Sequence, residues 1–258
     1  MRQSPRPRRL VRFMDVYWME QTLADLPASD DWLNEHEAIR LTSMRIPKRR
    51  NDWRLGRWTG KQVVARYLGL ADERHSLREI EIRSAPSGAP EVFIDYQRAR
   101  VSISLSHRGG TAMCAIAESS VALGCDLEIV ERHSPAFITD YFTAREQSII
   151  TEADERDLFS SLLWSAKESA LKAFATGLRV DTRCVEVQFE RPPFGCGTWG
   201  WLEIRHISGQ TFKGWWQRRA GLVRTLAGDP APSEPIALQS PNRLDTGMAA
   251  TSAALLVS

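Results

Sequence analysis

The sequence predicts an α+β protein of two similar halves, from three observations. A strand, two helices and then several strands follow one another from Asp15 to Ala117, and the same order returns from Val121 to Leu226. Repetition of one order over about 220 residues indicates a duplicated unit, with its seam near Glu118-Ser119-Ser120. Composition changes outside this span, so four parts are expected: a basic arm at 1–12, halves at 13–118 and 119–227, and a flexible tail at 228–258 rich in Pro, Ser, Ala and Thr.

Each element has a local reason. Asp15 to Met19 has the aromatic content of a strand. Asp31 to Met44 reads as a helix opened by an Asp cap and closed before Pro47, and a second helix runs from Asn51 to Leu68 with Gly69 as its stop. Strands follow at 79–83, 91–94 and 101–106, the last paired with 111–117 through Arg108-Gly109-Gly110. In the second half, 121–130 reads as a strand, 142–153 and 157–175 as helices, and 184–189, 202–207 and 222–226 as strands. A ligand site is expected at the seam between the halves.

Among 258 residues, 43% are hydrophobic and 26% charged, an ordinary globular balance. The net charge is only +2, but it is unevenly spread. Arg2, Arg6, Arg8, Arg9 and Arg12 form the arm. Between Arg45 and Arg66 eight basic residues face the single acid Asp52, which should attract an anion. No apolar run is long enough for a membrane span, and no signal-peptide core follows the arm. Cys114, Cys125, Cys184 and Cys196 lack CxxC spacing and read as reduced, packed thiols, which suggests the cytoplasm.

Three patterns could carry chemistry. In the helix around Trp164, the residues Phe159, Leu162, Leu163, Ala166, Ala170, Ala173 and Phe174 share one face, and Glu168 and Lys172 stack one turn apart on the other. Such a pair is either a surface ion pair worth about 0.2–0.5 kcal/mol or a metal ligand beside a phosphate-binding lysine. In the strand 121–129, alternation puts Asp126 and Glu128 on one face, roughly 6.5–7 Å apart along the chain; the pair is either solvated or a seat for Mg²⁺ or Mn²⁺. Gly124 and Ala122, on the same face, leave room for a ligand.

Ser102, Ser104 and Ser106 alternate with apolar residues up to His107, which at a strand end could bind a phosphate or accept a proton. Arg50, Arg54, Arg57 and Lys61 form a helical stripe suited to a polyanion. Neither a nucleophile elbow nor a Gly-rich phosphate loop is present.

In this order the motifs resemble those of the Sfp-type 4′-phosphopantetheinyl transferases. They are the basic helix, Gly88-Ala89-Pro90, Ser106-His107, Gly124 to Glu128, Phe142 to Glu146, and Trp164 to Lys172. The resemblance implies a monomer of two halves related by a pseudo-twofold axis, with coenzyme A bound between them. Its phosphopantetheine would pass to a serine of an acyl or peptidyl carrier protein of fatty-acid, polyketide or nonribosomal-peptide assembly. By the same resemblance, Asp126, Glu128 and Glu168 would hold Mg²⁺ or Mn²⁺ and Lys172 would touch the attacked phosphate; the attacking serine must also lose a proton, and Glu168, directly or through a metal-bound water, is the expected acceptor. Arg57, Ser106 and His107 would grip the nucleotide phosphates, helped by Lys48, Arg49, Arg50 and Lys61. Ala89 departs from members that place Lys there.

Two rivals are a nucleic-acid-binding protein using the arm and basic helix, and an inactive scaffold of the same fold. The near-neutral charge and absence of a binding motif speak against the first, and the presence of all three carboxylates against the second.

Overall fold

The computed structural model describes residues 13–71, 73–174, 181–190 and 197–238. The basic arm, Ala175, Cys196 and the tail beyond Leu238 lie outside these residues.

In the first half, strand β1 (Tyr17–Thr22) leads to helices α1 (Glu35–Thr42) and α2 (Pro47–Leu68). Then come β2 (Ile80–Ser84), β3 (Pro90–Ile94), β4 (Gln97–Arg98), β5 (Val101–Arg108) and β6 (Thr111–Glu118). The cap of α1 is Asn34, not Asp31, because Asn34 accepts from Glu37 N while the Glu37 carboxylate returns to Asn34 N. Pro47 opens α2 instead of merely ending α1, and Gly69 closes it at φ +66°.

The second half holds β7 (Ala122–Ile129), α3 (Pro135–Tyr141), α4 (Ala144–Glu152), α5 (Arg156–Ala173), β8 (Val185–Phe189), β9 (Gly200–His206), β10 (Thr211–Arg219) and β11 (Leu222–Asp229). Sequence reading missed α3 and β10. The first is only seven residues long, and the second mixes tryptophans with basic residues and reads as no clean alternation.

One sheet runs β12 (Ile236–Ala237)-β1-β6-β5 and the other β7-β11-β10-β9-β8, with β2-β3-β4 as a small third sheet. Alternation along β6 explains the layering. Cys114 and Ile116 face α2, whereas Met113, Ala115 and Ala117 face Leu123, Cys125 and Leu127 of β7 and Leu226 of β11. The two sheets therefore share a core, and α5 covers the other face of the second. Arg224 on β11, 2% exposed, grips Glu20 on β1 with both ends of its guanidinium at 2.5 and 2.8 Å, pinning the halves together.

The expected flexible tail begins too early. After β11 the chain turns back across the first half, where β12 (Ile236–Ala237) pairs in parallel with β1, and Pro232 O accepts from Trp215 Nε1 at 3.1 Å. Backbone pairing, invisible in a Pro-rich composition, orders this stretch as far as Leu238.

Each half also contains a buried Glu–Lys pair in the same surroundings. Glu37, in the capping box of α1, accepts from Ile82 N at 3.2 Å and meets Lys61 of α2, which also donates to Trp32 O at 3.0 Å. Glu146, in the capping box of α4, accepts from Val187 N at 3.0 Å and meets Lys167 of α5 at 2.8 Å; Lys167 also donates to Thr182 O and Val185 O. Both lysines are fully buried.

Candidate functional site

A cleft of about 1120 Å³ opens at the seam. Its walls include Arg40, Lys48, Arg49, Trp53 and Arg57 from the first half, the 84–92 turn with Ala89, His107 at the end of β5, and Ser119 to Leu123, Lys172 and Ala173 from the second. The cleft thus concentrates positive charge, as anion binding requires.

The basic stripe divides on closer view. Arg57 stays in the cleft wall, 5.1 Å over the Trp53 ring; burial, opposed by Glu37, lowers its pKa to about 10. Arg54 turns to Asp30 and Pro27 O, and Arg50 to Leu41 O. Lys61 points into the core against Glu37, so the expectation that it contacts coenzyme A fails. All four cations reach Asp30 or Glu37, acids outside the basic stretch that folding brings to it, with Arg57 the most distant at 4.0 Å from Glu37.

Beyond Lys172 stand the three carboxylates. Asp126, 4% exposed, accepts from Ser106 Oγ at 2.8 Å and from Lys172 Nζ at 2.7 Å, both on Oδ1. Glu128 accepts from Trp164 Nε1 at 3.2 Å and pairs with Arg108 Nε at 3.1 Å. Glu168, on α5, is 8% exposed. Burial first, then the charge of Asp126, pushes the carboxyls of Glu128 and Glu168 up to about 7. Burial acts to lower Lys172, but Asp126, Cys125 and Glu168 together outweigh it and hold the ammonium above its ordinary range.

Gly124 leaves no room for a ligand. A Cβ there would stand 1.8 Å from Ser169 O, so the glycine exists to let α5 press directly onto β7. Nor is the charged side of α5 a surface: Ser165 and Ser169 bond Thr225, and the helix is buried around nearly its whole girth. Glu168 and Lys172 are consequently not a solvent-exposed ion pair, and Lys172 takes Asp126 as its partner.

Among the described residues no three His, Cys, Asp or Glu groups form a ready-made metal cage. Two buried carboxylate oxygens, Asp126 Oδ2 and Glu168 Oε1, nevertheless have no hydrogen-bond partner. Buried carboxylate oxygens without a partner are costly, and such oxygens beside the Glu128 carboxylate are the donor type a hard divalent cation accepts. The residues therefore fit Mg²⁺ or Mn²⁺. Ser106 is fastened to Asp126 and donates to no cleft group, whereas His107 lines the cleft. Sequence reading gave no role to Arg108 or to the Trp164 indole. Strand alternation puts Arg108 on the Ser106 face, and Trp164 is one turn before Glu168, so both signals were present.

Comparison with known proteins follows this geometry. Residues 122–209 match the model of the 4′-phosphopantetheinyl transferase superfamily, a stretch that contains Asp126, Glu128, Glu168 and Lys172. Holo-[acyl-carrier-protein] synthases of three Streptococcus agalactiae strains are 29% identical to the chain over 84 residues, 33% of this chain and 71% of each relative. The crystal structure of Helicobacter pylori holo-[acyl-carrier-protein] synthase in complex with coenzyme A aligns at 18% identity and a TM-score of 0.32, covering 40% of this chain and 99% of that one. Over residues 122–209, the superfamily match and these relatives agree that the chain is similar to the 4′-phosphopantetheinyl transferases.

Proposed function

We propose that the chain transfers 4′-phosphopantetheine from coenzyme A to a serine of an acyl or peptidyl carrier protein, in the Sfp-type manner, releasing adenosine 3′,5′-bisphosphate. The observation that supports this most is the junction of a basic cleft with buried, unpartnered carboxylate oxygens at Lys172. Phosphoryl transfer asks a protein for these two things, cationic positioning and a way to neutralise oxygens around phosphorus.

In this reading Arg57, Lys48, Arg49 and His107 hold the nucleotide phosphates in the cleft. Asp126, Glu128 and Glu168 would hold Mg²⁺ or Mn²⁺, which supplies charge neutralisation on the pyrophosphate. Lys172 presents its ammonium to the phosphate under attack. The carrier serine oxygen bonds to the phosphorus that bears pantetheine, its proton passes to Glu168, and the bond to the nucleotide phosphate breaks. A carboxylate held beside the reacting oxygens is suited to accept that proton.

We further propose that the halves are related by a pseudo-twofold axis, which the matching Glu37–Lys61 and Glu146–Lys167 pairs support, and that the enzyme works as a cytoplasmic monomer on acidic carriers. Among the described residues no helix is long and apolar enough to cross a membrane.

The test is intact-protein mass spectrometry of apo carrier proteins incubated with the purified chain, coenzyme A and Mg²⁺. One phosphopantetheine added per carrier is expected, with loss of most transfer in Asp126→Asn. No transfer to a broad carrier panel, together with tight salt-sensitive binding to DNA or RNA, would replace this reading with the nucleic-acid one.

A further inference from the structure

The end of β5 presents three polar side chains in a row, Ser106, His107 and Arg108, and strand alternation sends them two ways. His107 follows Ile103 and Leu105 onto the face that meets α2 and the cleft. Ser106 and Arg108 turn instead toward β7, whose edge lies along β5 without joining it in one sheet. The two strands are linked by serine hydroxyls: Cys125 N donates to Ser104 Oγ at 2.9 Å, and Leu127 N donates to Ser106 Oγ at 3.2 Å. The Ser106 hydroxyl then gives its own proton to Asp126 Oδ1 at 2.8 Å. Two residues on, Arg108 pairs with Glu128 Oε2 at 3.1 Å and with Glu131, while Trp164 donates to Glu128 Oε1.

We propose that Ser106 and Arg108 are positioning residues that set the rotamers of Asp126 and Glu128 for the cation. The inference rests on the functional reading above. Its physical basis is the division of oxygens. Ser106, with Lys172, occupies Oδ1 of Asp126 and thereby leaves Oδ2 turned inward without a partner. Arg108 on Oε2 and Trp164 on Oε1 hold Glu128 from both sides and restrict its side chain. Carboxylates held by such outer partners bind a metal without first losing side-chain freedom, and removing the partners typically weakens metal affinity by about 10–100-fold.

The experiment measures Mn²⁺ binding to the full chain by electron paramagnetic resonance with coenzyme A saturating, for wild type, Ser106→Ala, Ser106→Thr, Arg108→Ala, Arg108→Lys and Asp126→Asn. In parallel, KM for coenzyme A is measured in the transfer reaction. Expected are a Kd for Mn²⁺ raised about tenfold in Ser106→Ala and Arg108→Ala, partial recovery in Ser106→Thr and Arg108→Lys, and a KM for coenzyme A within about twofold of wild type. Arg108 is half exposed, so its variant keeps the test open should Ser106→Ala fold poorly. An unchanged Kd in both alanine variants with binding lost in Asp126→Asn overturns this inference alone. A raised KM for coenzyme A with an unchanged Kd makes Ser106 or Arg108 a ligand contact and also overturns it. Unchanged Mn²⁺ binding in Asp126→Asn overturns the metal reading itself, and the inference with it.

Discussion

Replacing Lys61 by methionine should damage the fold and spare coenzyme A binding, although position 61 falls in the basic stripe. The ammonium is fully buried, bonded to Glu37 and to Trp32 O at 3.0 Å, and 5.6 Å over the Trp32 ring. Its pKa is lowered by burial and supported by Glu37, as expected of a structural pair. Removing one member of such a pair costs about 3–5 kcal/mol, because the other charge stays buried. Arg57 Nε, 4.0 Å from Glu37, remains as a partial partner and puts the loss near the lower bound, about 3 kcal/mol.

At roughly 2–4 °C per kcal/mol for a chain of this size, the thermal midpoint falls by about 6–12 °C. Glu37→Gln added to Lys61→Met removes the stranded charge, keeps an acceptor for Ile82 N, and should restore part of the loss. Scanning calorimetry with urea titration measures the stability, and initial rates give KM for coenzyme A. A midpoint unchanged within about 2 °C with KM raised tenfold would refute the reasoning and return Lys61 to the binding site.

Glu168→Gln should abolish most transfer yet stabilise the chelator-treated protein at pH 8. The Glu168 carboxyl is raised from 4.5 to about 7, so the native state holds the proton more tightly than the unfolded one, and stability falls as pH rises across that window. The gain is at most about 3 kcal/mol above pH 7 and vanishes below about pH 4.5, as melting curves at pH 4.5 and 8 would show; equal effects at both pH values would refute it. Gly124→Ala should lower stability by at least about 3 kcal/mol, since the methyl meets Ser169 O at 1.8 Å; near-wild-type circular dichroism melts would contradict the close approach. Iodoacetamide at pH 8 should leave peptides containing Cys114 and Cys125 unmodified until denaturant is added. Burial places the first thiol well above its ordinary range and the second at about 11, and alkylation of the native chain would count against that burial.

The local elements were largely legible where one period dominated. Helix α2 and the β5–β6 hairpin were found within a few residues of their ends, because a Gly stop and a Gly-Gly turn punctuate them. The helix α3 was not, being too short for a period to emerge. Asp126, Glu128, Glu168 and Lys172 were singled out as candidates before any contact was known, since alternation and helical stacking decide which faces they share. What they touch was not, and Lys61 shows why: its partner Glu37 is 24 residues away and on another helix.

By itself the sequence determined the α+β class, and it put Asp126 with Glu128 on one strand face and Glu168 with Lys172 on one helix face, for these follow from periods of 2 and 3.6 residues within single segments. Tertiary structure decided how the cations were divided between core and cleft, with Lys61 buried on Glu37 and Arg57 left in the cleft wall. It also decided that Gly124 receives a helix and that Ser106 and Arg108 brace carboxylates. Each of these depends on which distant charge or backbone atom a side chain meets, and burial makes that meeting far stronger than any local preference.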